Sequence, residues 1–167
     1  MPPMKPSAAD APRRSSAEQQ RLDSALTELF EERISFNRVL GLKVESLTPS
    51  DIRGSLVMRP ELVGHYAYGR LHGGVISATL DVMGALALMV GIAEQHAHET
   101  TSQVMGRFLK MATIDLRVDY LRAGLGEHFV ATGVVMRLGG RLGSTQTQLF
   151  SDKGILLATG AASYLIA

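Results

Sequence analysis

Asp81 is the one carboxylate in a run that is otherwise almost entirely apolar from Val75 to Ala93. Taking a carboxylate out of water is costly unless hydrogen bonds or function offset the loss, so this residue needs a reason to be there. It either faces a solvent gap, caps a backbone group, or does chemistry. Just upstream stand His72, Gly73 and Gly74, where a loop becomes a helix. Two glycines leave an approaching ligand unobstructed. The first N–H groups of a helix lack partners within it, so those of Gly73 and Gly74 are expected to be unpaired and able to hold an anion or a developing oxyanion. A Gly-Gly pair alone also reads as a simple turn. His72 either orients a carbonyl or completes the helix start as a satisfied polar residue.

Spacing constrains what these residues can do together. On one helix, Gly73 and Asp81 lie about 12 Å apart at about 1.5 Å per residue. One small reacting group cannot touch both. If both act on one substrate, the simplest solution is a two-fold dimer that brings Gly73 of one chain toward Asp81 of the other, and this model predicts an obligate dimer.

The elements that would position them can be read from periodicity. From Glu18 to about Leu40, Leu22, Leu26, Leu29, Phe30, Ile34 and Phe36 recur at three-and-four spacing, which predicts an amphipathic packing helix. After Gly41, Leu42–Glu45 and Ile52–Met58 alternate around Thr48-Pro49-Ser50-Asp51, a hairpin pattern. Residues 60–71 read as a loop. The helix that begins at His72 is apolar on every face and is expected to be enclosed. Residues 94–107 read as a polar loop or irregular lid. Four strands follow, over 113–120, 128–138, 144–150 and 155–166, spaced for an antiparallel meander. The order predicts an α+β domain whose curved antiparallel sheet wraps a long central helix, with an extra N-terminal helix.

Composition removes other classes. The 167 residues suit one domain, assigned to 18–167, behind a disordered tail over 1–17 that lacks the apolar core of a secretory signal. A formal net charge of +1 gives no footprint for nucleic acid. With no cysteine, disulfides, thiolate chemistry and cysteine-held zinc are excluded, and a cytoplasmic protein is the plain reading. The apolar run is short for a membrane span, and a mid-membrane Asp81 would cost roughly 2.5 to 3.5 kcal/mol, so no span is assigned. His96-Ala97-His98-Glu99 has spacing common in polar loops and lacks further ligands, so no metal and no cofactor are assigned. Met83 and Met89 read as core filler or as lining of an adaptable pocket.

The segment His72-Gly73-Gly74-Val75-Ile76-Ser77-Ala78-Thr79-Leu80-Asp81 resembles the His-Gly-Gly signature of PaaI-type hotdog-fold thioesterases, whose acid lies nine positions after the histidine. The similarity runs over roughly 36–166, including Thr113-Ile114-Asp115-Leu116, Asp119-Tyr120 and Gly140-Arg141, and points to the YigI-like branch. The resemblance implies a hotdog fold, dimers that often pair into tetramers, and hydrolysis of an acyl-CoA substrate without metal. It makes Asp81 the nucleophile or general base, Gly73 the oxyanion donor and Thr113 a hydroxyl that positions water. Many relatives carry Asn six or seven residues before the histidine, where this chain has His65 and Tyr66, which leaves open the polar partner of the thioester oxygen; His65 could substitute as a donor. Leu121-Arg122-Ala123 replaces a frequent Arg-Pro-Ala. Gly74 joins the substrate-binding residues, and Arg137, Arg141 and Lys153 are candidates to meet coenzyme A phosphates. A hydratase or dehydratase on the same fold would need a His-Phe-Pro pattern that is missing here. A non-catalytic acyl-CoA sensor would give Asp81 no role.

Overall fold

Order begins ahead of the expected start at Glu18. The computed structural model describes residues 12–166. Ser15 accepts a hydrogen bond from Glu18 N at 3.2 Å and caps helix α1 (Ser16–Glu28), satisfying one of the free donors at its start. Arg14 donates to the backbone oxygens of His96 (2.9 Å) and Ala97 (3.3 Å), and its own N–H reaches Ala97 O at 2.6 Å. Of the tail expected over 1–17, residues 1–11 lie outside the described residues and 13–17 are held in place.

The single helix expected over 18–40 is broken. A π-helical turn (Leu29–Arg33) follows α1, Ile34 is extended, and α2 (Ser35–Leu40) stops at Gly41, whose φ of 72° suits glycine. The cause is tertiary. Glu31 accepts from Val44 N (2.8 Å) and Lys43 Nζ (2.7 Å), tying this turn to the first strand and turning Phe36 and Val39 toward solvent.

Strands β1 (Lys43–Thr48) and β2 (Asp51–Val57) form the expected hairpin. Residues 60–71, expected as a loop, hold a 3-10 turn (Pro60–Leu62) and a short ribbon of β3 (Val63–His65) and β4 (Arg70–Leu71). Next comes the central helix α3 (Gly73–Gln95), then α4 (Thr101–Arg107). The expected lid over 94–107 is thus helical at both ends. Thr100 and Gln103 make a reciprocal capping box that starts α4, and that Thr-x-x-Gln spacing was readable in the chain.

The remaining strands are β5 (Ala112–Tyr120), β6 (His128–Leu138), β7 (Leu142–Ser151) and β8 (Leu156–Leu165). All six long strands form one antiparallel sheet in the order β1-β2-β6-β7-β8-β5. The four-strand meander is therefore corrected to three, β6-β7-β8. Tight turns join those three, whereas residues 121–127 make a longer crossing in which the N–H groups of Leu121 and Arg122 both bond Leu157 O. That crossing carries β5 to the far edge, beside β8.

Inward residues of the sheet, among them Ile52, Leu56, Phe129, Ala131, Leu149 and Ala158, pack on α3. Gly133 brings β6 close enough that an added Cβ would stand 2.6 Å from Met83 O. α3 is long and apolar enough to cross a membrane by length and composition, yet 61% of that stretch is buried within this fold. The expected enclosure on every face is not what this chain shows. One sheet covers one side, and Ala78, Asp81 and Ala85 remain partly open on the other.

Candidate active site

Asp81 lies on that open side, half-buried, and faces β5. Its carboxylate accepts from the Thr113 hydroxyl, with Oγ1 at 3.0 Å from Oδ1 and 3.2 Å from Oδ2. One hydroxyl proton shared between the two oxygens leaves their other lone pairs free for a substrate or water. These two residues, 32 apart in sequence, are brought together by the fold.

A β-bulge aims Thr113. In the β5–β8 ladder Thr113 pairs with Tyr164 and Asp115 with Ser163, so Ile114 is an extra residue that breaks the alternation. Asp115 secures the bulge by accepting from Ser163 N at 2.9 Å. Sequence reasoning gave Asp115 no role, because a carboxylate in an alternating strand carries no sign of a bulge.

At the start of the helix, two turns before Asp81, His72 is the N-cap: its Nδ1 accepts from Gly74 N at 2.8 Å. The proton of the neutral ring therefore sits on Nε2. This corrects the expectation of two unpaired glycine donors. Gly74 N–H is taken by the cap, while Gly73 N–H has no partner among the described residues. Gly73 also gains a neighbour that local patterns could not reveal. Tyr120, at the end of β5, donates its hydroxyl to Gly73 O at 3.0 Å and lays its ring within 3.5 Å of where a Cβ would stand. The start of α3 and the end of β5 are thereby locked together.

The remaining candidates lie apart from this pair. His65 is exposed on the β3–β4 ribbon, stacked on Tyr66 (5.6 Å between ring centres) and near Tyr68 (4.7 Å), with the Arg70 guanidinium over Tyr68. The ribbon's base is tied to the site by His72 N bonding Leu62 O at 2.8 Å. Arg137 and Arg141 line a groove of about 410 Å³ at the β6–β7 hairpin, together with Gly140, Ser144 and Ser163. Lys153 is exposed in the β7–β8 turn. Glu99 holds Arg107 and lies 3.5 Å from His96 Nδ1, and no group of three metal-binding side chains occurs among the described residues.

A long helix opening on a donor-bearing glycine, wrapped by a six-stranded antiparallel sheet and carrying a carboxylate two turns on, is an arrangement with known counterparts. Residues 68–158 match the thioesterase superfamily, and the span includes His72, Gly73, Asp81 and Thr113. The chain belongs to that superfamily. It is 34% identical over 139 residues to the medium/long-chain acyl-CoA thioesterase YigI of Escherichia coli, covering 83% of this chain and 90% of that one. A crystal structure from Shewanella oneidensis, related to the thioesterase superfamily, superposes with a TM-score of 0.85 at 31% identity, covering 92% of this chain and all of that one. Thioesterase superfamily member 2 from Mus musculus shares the fold, with a TM-score of 0.66 at 22% identity. As a superfamily member the chain is a thioester hydrolase with the hotdog fold, the sheet being the bun and α3 the filling.

Proposed function

We propose that this thioesterase hydrolyses acyl-CoA at a site shared between two chains. The observation that carries the reading is the separation of its two halves: a free Gly73 N–H at the start of α3, and Asp81 held by Thr113 two turns further on. Gly73 N–H, at the positive end of the helix, donates to the thioester oxygen and stabilises the charge that grows there. Asp81 of the other chain attacks the carbonyl carbon or takes a proton from the water that does so. The C–S bond breaks and the sulfur leaves with a proton as CoA; where Asp81 itself attacks, water then cleaves the acyl–Asp81 anhydride, and by either route the acyl group leaves as a carboxylic acid carrying the water's oxygen.

Two uncovered surfaces meet at this point and support the pairing. β5 is an edge strand with one side unpaired and with Ile114 and Tyr120 more than half exposed, the kind of edge that pairs with another strand. The open side of α3 carries the small residues Gly74, Ala78 and Ala85 around Asp81, which lets a second helix approach closely. A two-fold axis beside them would set each Gly73 near the other chain's Asp81.

The substrate we infer is a medium- or long-chain acyl-CoA, in line with the preference named for the Escherichia coli relative. Arg137 and Arg141, which line the groove at the β6–β7 hairpin, are our candidates for the CoA phosphates, which guanidinium groups bind in two-pronged fashion. Free thiol release from a panel of short, medium, long and aryl acyl-CoAs tests the reading. Turnover rising toward medium and long chains is expected, and no release from any member would overturn it.

A further inference from the structure

Tyr164 is the largest fully buried side chain, 1% exposed, and a phenol so placed needs a partner. Its hydroxyl donates to the backbone oxygen of Asp81 at 2.7 Å. That oxygen lies mid-helix and already serves the helix's own bond from four residues on, so the phenol is an added tether rather than a repair. Burial first, and the nearby Asp81 charge second, push the phenol well above its ordinary range, so it stays a donor. Gly84 makes the contact possible: a Cβ there would stand 2.3 Å from the Tyr164 hydroxyl. Finally, Tyr164 is the cross-strand partner of Thr113. Adjacent residues on paired strands therefore grip Asp81 at two points, Thr113 at the carboxylate and Tyr164 at the backbone.

We infer that Tyr164 is a positioning residue for the reaction, fixing the turn of α3 that carries Asp81 in register with Thr113. It touches no substrate. Its action is to hold the carboxylate where an error of about 1 Å would cost up to a hundredfold in rate. The inference rests on the acyl-CoA thioesterase reading above.

The test uses the full chain and a medium-chain acyl-CoA. Tyr164→Phe keeps the ring in the core and removes only the tether; kcat is expected to fall roughly tenfold with KM within about twofold. Phe129→Leu, a buried change on β6 away from Asp81, is the comparator: it should lower the melting temperature while kcat stays within about twofold. A double-mutant cycle separates positioning from packing. If Tyr164 works through the Thr113–Asp81 contact, Tyr164→Phe combined with Thr113→Val loses clearly less than the product of the two single losses. Parental kcat in Tyr164→Phe, or losses that multiply, would overturn the inference. If Tyr164→Phe does not yield folded protein, Gly84→Ala, which crowds the hydroxyl from the helix side, is read by the same criteria. Failure of the parent protein to release CoA defeats the acyl-CoA reading itself, whereas an active parent with an unaffected Tyr164→Phe defeats only this step.

Discussion

Asp81→Asn is expected to lower the rate of CoA release about a thousandfold, with little change in melting temperature. The substitution keeps the size of the side chain and an oxygen that can still accept from Thr113, so the local hydrogen bond survives. What disappears is the carboxylate that, in the proposed reaction, attacks the carbonyl or takes the proton of water. Because Asp81 is half-buried on the open side of α3 and makes no ion pair among the described residues, its loss leaves no stranded charge behind. Steady-state kinetics beside a thermal melt checks both halves. A variant retaining more than about a tenth of the parent's kcat would remove Asp81 from the chemistry.

Gly73→Pro should reduce kcat about a hundredfold or more, the loss typical of removing one oxyanion donor. The choice of proline follows from the backbone. Gly73 is the first helical residue, where proline is well tolerated because that N–H has no partner within the helix. His72, at φ −65° and ψ 137°, already has the extended shape that a residue before proline prefers. A Cβ at position 73 would meet the Tyr120 ring at 3.5 Å, an ordinary contact. The helix start can therefore stay while the donor goes. Gly73→Ala, which keeps the N–H, should lose much less. Equal losses in the two variants, or near-parental kcat in Gly73→Pro, would show that the donor is elsewhere.

The central helix and its signature were legible because both are local. The His-Gly-Gly start, the apolar run and the lone carboxylate lie within one helix, and the rise per residue already separated Gly73 from Asp81. The three late hairpin strands were legible from alternation and tight turns. What escaped was set by contacts between distant segments. Strand order hid because residues 121–127 carry no mark of where they cross. The break at Ile34 depends on Glu31 reaching Lys43 and Val44. Thr113 could be named from resemblance, but the bulge at Ile114 that aims it, and Asp115 that clamps the bulge, exist only in the paired ladder. Tyr120 and Tyr164 meet α3 across 47 and 83 residues, and nothing near them in the chain announces it.

The most direct test of a shared site is complementation between two inactive chains. Gly73→Pro and Asp81→Ala chains, each with its own affinity tag, are co-expressed and the mixed dimer isolated through both tags. In that dimer one site joins the intact Gly73 of one chain to the intact Asp81 of the other, while the second site has lost both. Recovery of about half the parental rate per dimer is expected, far above either variant alone. A mixed dimer no more active than its two inactive parents would mean that each chain works with its own Gly73 and Asp81, and the two-chain site would be wrong.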